Sequence, residues 1–368
     1  MKWYFPIVLS LLVPLACAAQ SQDARPAVPP APESPLQGGW NNRLANSRAA
    51  EWKTANSANP GNAEMQLNWF LSEQHAREAN NNGMLSAKDK SALEQIAGDI
   101  KATAPGSFEA HLASFHLQFP SASGFKELES AYELAPMREE LLAPMLSKAM
   151  LDGDAAELRT WSAEMVRRNA IAAPLKAAAS DLLLSVAGNG ILFTNGDMDT
   201  QPAVVEQVQQ HDKPGVLVVD RRLLVQQAYR ERTWQQANAA GPVPANGPAF
   251  AKALLTATKR PVYFALSLDR TWLNTFPGQL HAVGAAFRVG AAEPSDAAAL
   301  ASNWAAMKKP LDAGPMSRNY LLPGAILLQQ YRNNGEPAKA AALETELHKI
   351  ALATGGAGEL KRANVLNR

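Results

Sequence analysis

From about residue 44 to residue 185 the apolar residues recur at helical spacing, and the runs are broken by Asn-Pro-Gly, Ala-Pro-Gly and Asp-Gly-Asp turns. That pattern predicts a series of helices joined by short connections. Pro60-Gly-Asn-Ala-Glu64, Pro105-Gly-Ser-Phe-Glu109 and Pro136-Met-Arg-Glu-Glu140 each set a proline four residues ahead of a glutamate and then open an apolar run. Proline suits a first helical turn, where its missing N–H is not needed, and glutamate suits the positive end of the helix dipole. The three segments are unequally spaced, so they predict an irregular array of helix pairs. Leu128-Glu-Ser-Ala-Tyr-Glu-Leu-Ala-Pro136 resembles a degenerate tetratricopeptide repeat. Stacked pairs of that kind leave a concave surface for a protein partner.

After Gly188 the period changes. Ile191–Thr194, Val216–Val219 and Val262–Leu268 are short β-rich runs, with helices expected at Ala203–Gln210 and Phe250–Thr258 between them. Strands alternating with helices predict a mostly parallel sheet with crossovers. His281–Val289 places Val283, Ala285, Phe287 and Val289 on one face and predicts a half-buried edge strand. Two apolar stripes, on Leu321, Ala325 and Leu328 and on Leu343, Leu347 and Ile350, flank Asn333-Asn-Gly-Glu-Pro337 and predict a closing helical hairpin. The expected fold class is therefore an N-terminal helical, tetratricopeptide-like array followed by a small α/β domain closed by C-terminal helices. The boundaries are a helical region at 44–186, the α/β domain at 187–294, packing helices at 295–355 and a flexible tail at 356–368.

The N-terminus sets the compartment. Residues 1–19 carry Lys2, an apolar run from Ile7 to Ala16 and small residues at Ala16, Ala18 and Ala19, the layout of a secretory signal peptide. The run is too short and too rich in proline for a membrane span, and no second run of suitable length follows. Cys17, the only cysteine, sits in Leu15-Ala16-Cys17, which resembles a bacterial lipobox except that Pro14 stands where leucine is usual. Cys17 is then either acylated or removed with the leader, and no thiol remains for a disulfide. Residues 20–43 are rich in proline, alanine and serine at their start and read as an extended tether. The expected location is outside the cytoplasm, as a periplasmic protein or an outer-membrane lipoprotein of bacterial type.

Thirty-five Lys and Arg against 34 Asp and Glu leave the chain nearly neutral, which removes the electrostatic basis for a nucleic-acid partner. If the three strands are parallel, their C-terminal ends lie together and gather Asn195, Asp197 and Asp199, then Asp220, Arg221 and Arg222, then Asp269 and Arg270. Asp197 and Asp199 could hold a divalent metal through oxygen ligands, or Asp199 and Thr200 could simply cap the next helix with Pro202 in its first turn. Trp272 follows the third strand and is a candidate stacking platform, and His281 could reach the same rim. His111 and His116, five apart, do not share a helix face. There is no His-Glu-x-x-His, Gly-x-Ser-x-Gly, Gly-x-Gly-x-x-Gly or phosphate loop. No cofactor beyond that metal is expected, and binding is expected ahead of catalysis.

Several segments resemble the soluble C-terminal part of a bacterial family of polytopic membrane proteins described as protein O-mannosyltransferase-like. They are Ile191-Leu-Phe-Thr-Asn-Gly-Asp-Met-Asp-Thr200 with Pro202, Val216–Leu224, Arg260-Pro-Val-Tyr-Phe-Ala265, Val283–Arg288 and the hairpin around Tyr331–Ala340. The resemblance implies a soluble α/β module with helical repeats on the outer side of the inner membrane. It does not imply transferase chemistry, because a helical array stands where the family has membrane helices, and Gln201-Pro-Ala-Val replaces an aromatic-rich continuation. Two functions follow as expectations: a cell-envelope scaffold that binds a protein partner, or a protein that binds or acts on envelope glycans through Asp197, Asp199 and Asp269.

Overall fold

Asparagine and serine side chains, not the prolines, start the first five helices. The computed structural model describes residues 28–38, 40–81 and 85–366. The expected signal segment, Cys17 and the first part of the tether lie outside the described residues. The helices are α1 (Asn42–Ala58), α2 (Ala63–Asn80), α3 (Ala87–Thr103), α4 (Phe108–Gln118), α5 (Ala122–Leu134), α6 (Leu142–Asp152), α7 (Ala155–Arg167) and α8 (Ala173–Leu184). Asn62 accepts the Met65 N–H and Ser107 the Ala110 N–H, satisfying amide groups that open each helix. Pro60 and Pro105 stand earlier, in the turns, while Glu64 and Glu109 do occupy the first helical turns. Neighbours along the chain pack on each other, most extensively α1 on α2 and α4 on α5.

The second half contains β1 (Ile191–Thr194), α9 (Asp197–Gln210), β2 (Leu217–Asp220), α10 (Gln227–Gln236), α11 (Pro248–Ala257), β3 (Val262–Ala265), α12 (Arg270–Leu273), β4 (Leu280–Ala282) and β5 (Ala286–Val289). The strand order is β2-β1-β3-β5-β4. β1 runs parallel to β2 and β3, whereas β5 is antiparallel to β3 and β4, so the sheet is mixed. Over the described residues the protein is mixed α/β and about 62% helical.

The expected single edge strand at 281–289 is instead a tight hairpin. Gly284 makes the turn, with φ +130° and a position where any Cβ would overlap the Ser185 hydroxyl. That hydroxyl accepts the Ala285 N–H at 2.8 Å, and the Val283 N–H closes the hairpin onto the Ala286 carbonyl at 3.0 Å. Alternation of apolar residues is the same for one strand or two, so only the glycine marked the break.

The last helices are α13 (Pro294–Ala306), α14 (Pro315–Arg318), α15 (Leu321–Asn333), α16 (Pro337–Ala353) and α17 (Ala357–Arg362). α15 and α16 form the expected hairpin. The tail is not loose as far as residue 366, because α17 forms there and Leu360 and Leu366 are buried. The described part of the tether is also anchored. Leu36 is 1% exposed and its carbonyl accepts the Ala172 N–H at 2.8 Å, while Trp52 donates to the Pro30 carbonyl. Trp40 packs so closely on Gly314 that no side chain fits there. One hydrophobic core runs from Leu36 through both halves to Leu366, so residue 187 is a change of secondary structure and not a seam in the packing. Among the described residues no helix is long and apolar enough to cross a membrane.

Candidate functional site

The C-terminal ends of β1, β2 and β3 face the helices, which turns the strand-end rim into one wall of a seam. Gln226 donates to the Pro120 carbonyl at the α4–α5 turn, and the Arg232 guanidinium donates to the Met150 and Leu151 carbonyls at the end of α6. A cation at a helix C-terminus is favoured by the helix dipole. Gln201, on α9, donates to the Ala143 carbonyl and the Ser147 hydroxyl, both at 3.1 Å. These bonds fix the rim against α4, α5 and α6.

α9 begins at Asp197, earlier than the sequence suggested, so Asp199 is its third residue and Pro202 lies inside it. Asp199 holds the β1–α9 turn, one oxygen accepting the Asn195 N–H and the other the Gly196 N–H, each at 2.8 Å, and it accepts from the Ser267 hydroxyl. Thr200 does not cap the helix but donates to the Thr194 hydroxyl at 2.7 Å, which in turn donates to the Val219 carbonyl of β2. Burial raises the Asp199 carboxyl above its ordinary range despite these donors. The group is part of the scaffold.

Arg222 links the ends of β2 and β1. Its guanidinium reaches Asp220 at 2.8 Å and Asp197 Oδ1 at 2.7 Å, and it lies over the Phe119 ring, 4.9 Å from the centroid. Gly196 gives it room, since a Cβ there would stand 3.1 Å from the guanidinium. Asp220 is 1% exposed, so this partner is what permits its charge. Burial opposes the charge on Asp197, but Arg222 outweighs it and holds that carboxyl below the usual range. Burial likewise opposes the charge on Arg222, and the two carboxylates reverse the effect, keeping it firmly protonated. Arg221 completes a parallel link, donating to Asn195 Oδ1 at 2.6 Å and pairing with Asp269 at 3.2 Å.

The α2–α4 side holds His75 and Glu78, which the sequence did not single out, and His116, which it set aside. His75 and Glu78, one turn apart on α2, and His116 on α4 are half-buried. His116 packs edge-on against Phe115 and near Phe70, with ring centroids 5.3 and 6.2 Å away. Burial lowers both imidazoles to about 4; the charge of His116 adds to the effect on His75, and Asp197 opposes it on both. Burial raises Glu78 to about 7, opposed by the Gln74 amide, which donates to one carboxyl oxygen at 2.9 Å. Asp197 and Arg222 both act on Glu78, so the two walls share one electrostatic environment. Among the described residues neither imidazole has a hydrogen-bond partner, and Glu78 Oε2 and Asp197 Oδ2 have none either. The Asp197 side chain is 43% exposed, so its free oxygen is open to water or to a ligand.

Other expected site residues fall elsewhere. Trp272 is 4% exposed and packs on Phe193 and Phe264 in the core, so it is no stacking platform. His281 sits on edge strand β4 opposite Arg288 and donates from Nε2 to the Gly290 carbonyl at 3.0 Å, away from the rim. Asp269 caps α12 by accepting the Thr271 and Trp272 N–H groups, and Arg270 is exposed at the start of that helix. Asp197 and Asp199 do not form the expected metal pair: Asp199 spends both oxygens on the turn and Asp197 pairs with Arg222. Among the described residues no three His, Cys, Asp or Glu side chains are grouped to hold an ion. His111 pairs with Glu127 at 2.6 Å.

Comparison with protein-family models, curated proteins and solved structures finds no match for this chain.

Proposed function

We propose that this chain is an exported cell-envelope protein that acts by binding, and that its ligand is an uncharged, hydroxyl-rich molecule of the glycan class held between the strand-end rim and the α2–α4 wall. The observation that carries this is a set of polar groups that share one electrostatic environment and have no protein partner among the described residues: His75, His116, Glu78 Oε2 and Asp197 Oδ2. Among the described residues Arg222 is shared by two carboxylates and Arg221 is paired with Asp269, so neither of these arginines is a free cation. Neutral imidazoles and a carboxyl that burial raises to about 7 favour hydroxyl groups over an anion. The signal-like N-terminus and the resemblance to the O-mannosyltransferase-like family support an envelope location, with Cys17 as the lipid attachment point if it is retained.

A thermal-shift titration of the exported chain tests the assignment, since a ligand of the native state raises the midpoint by mass action. Neutral envelope oligosaccharides should raise it, and Asp197→Ala should abolish the rise. A shift with anionic ligands only would contradict it.

A second activity, docking of an envelope protein on the helical array, is favoured by exposed apolar side chains at Tyr132, Leu134, Met137 and Val166. Arg168, two residues after Val166, donates to the Met137 carbonyl at 2.7 Å. A tetratricopeptide-like stacking of the helices would suit that use.

A further inference from the structure

We propose that a groove between α1 and α2 binds a short peptide with free amino and carboxyl ends, at a site separate from the glycan cleft. Glu73, Ala76, Arg77 and Asn80 line it, at a helical spacing that puts them on the other side of α2 from His75 and Glu78. The groove has a volume of about 430 Å³, within the range of small-ligand sites. Its floor is alanine. Ala49 of α1 and Ala76 of α2 are 5% and 3% exposed and, with Ala45, form a small cluster apart from the main core. Side chains this short bring the helices together and leave the space above them open.

The groove carries both signs of charge. Asn46 and Asn80 exchange amide hydrogen bonds at 3.1 and 3.0 Å across one end of it. α1 and α2 pack as a hairpin through the turn at 59–62, so stepping from 46 to 53 on one helix and from 80 to 73 on the other brings Lys53 level with Glu73. The two are not paired, and the Lys53 ammonium has no partner among the described residues. Arg77 lies between two carboxylates, 3.0 Å from Glu73 and 2.8 Å from Asp89, so that trio carries one net negative charge. An unpaired cation on α1 facing a net anion on α2 and α3 matches a ligand that carries both charges, and side-chain amides match the N–H and C=O of a peptide group between them. One turn before Ala76 on the same face of α2, Ser72 is 2% exposed and its hydroxyl has no partner among the described residues, a buried polar atom that a peptide group can satisfy and a hydrocarbon cannot.

The test is isothermal titration of trialanine, its N-acetyl form and its C-terminal amide into the exported full chain, with melting curves for every variant. Trialanine should bind saturably to wild type, and each capped form, which lacks one charge, should bind about 3- to 10-fold more weakly. Lys53→Met should reduce trialanine to the affinity of its amide and leave the melting midpoint unchanged, since Lys53 is exposed. Ala50→Leu, at an exposed lining position where a helix accepts leucine, should fill the groove and abolish binding while the protein still melts as wild type does. Asp197→Ala should bind trialanine as tightly as wild type. Failure of wild type to bind trialanine at up to about 10 mM, affinities that the caps and Lys53→Met leave unchanged, or a loss of binding in Asp197→Ala overturns the proposal.

Discussion

Arg222 donates to Asp197 at 2.7 Å across the gap between β2 and α9, and the same guanidinium is the partner of buried Asp220. A residue that closes the sheet is thereby also the residue that sets the charge of the cleft. Removing it exposes both roles at once. Arg222→Met should destabilise the fold by about 3 kcal/mol, because Asp220 is left as an uncompensated buried charge. Chemical denaturation measures this, and Arg222→Met combined with Asp220→Asn should recover part of the loss.

Gly284 is required by its turn. Gly284→Ala places a Cβ against the Ser185 hydroxyl in a backbone conformation that L residues rarely adopt. A destabilisation of about 1–3 kcal/mol is expected, read from the denaturation midpoint.

Trp272 behaves as core. Trp272→Ala should destabilise the chain by about 3–5 kcal/mol through loss of packing on Phe193 and Phe264. Trp272→Phe, which keeps much of the ring, should bind oligosaccharide as tightly as wild type. A selective loss of binding in that variant would return Trp272 to the ligand.

Acid sensitivity follows from the α2–α4 wall. His75 and His116 are lowered from 6.5 to about 4, so between these values the unfolded chain binds more protons than the folded one. Their contribution is fully present above about 6.5 and is lost as pH falls toward 4. Glu78 is raised from 4.5 to about 7, so the folded chain binds the extra proton and stability is gained as pH falls through 7 to 4.5. Two histidines oppose one glutamate, and the net effect of these groups below about 6.5 is destabilising. The thermal midpoint of wild type minus that of His75→Asn/His116→Asn should fall as pH is lowered from 6.5 to 4, and wild type minus Glu78→Gln should change in the opposite direction between 7 and 4.5.

Much of the rim was legible because its signal is local. An apolar run such as Ile191–Thr194 followed by Asn195, Gly196 and Asp197 reports both a strand and the polar end of that strand, and parallel pairing of β1 with β2 and β3 then places Asp220, Arg221 and Asp269 nearby. Which of these acids is open and which is spent on the backbone was not legible, since Asp197 and Asp199 look alike until the turn closes on Asp199. The opposite wall is a product of tertiary packing. Nothing within α2 or α4 announces that the charge of His116 acts on His75, although His75 and Glu78 at one-turn spacing do share a helix face. Proline and serine made residues 28–38 look like a tether, but Leu36 and the backbone bond to Ala172 dock that segment.

The most direct measurement is an isothermal titration of a neutral envelope oligosaccharide into wild type and Asp197→Ala, with melting curves for both. The cleft assignment predicts saturable one-to-one binding to wild type and a loss of about 10- to 100-fold in the variant, the range expected when a hydrogen bond to a charged group is removed. Equal affinities in the two folded proteins would contradict it.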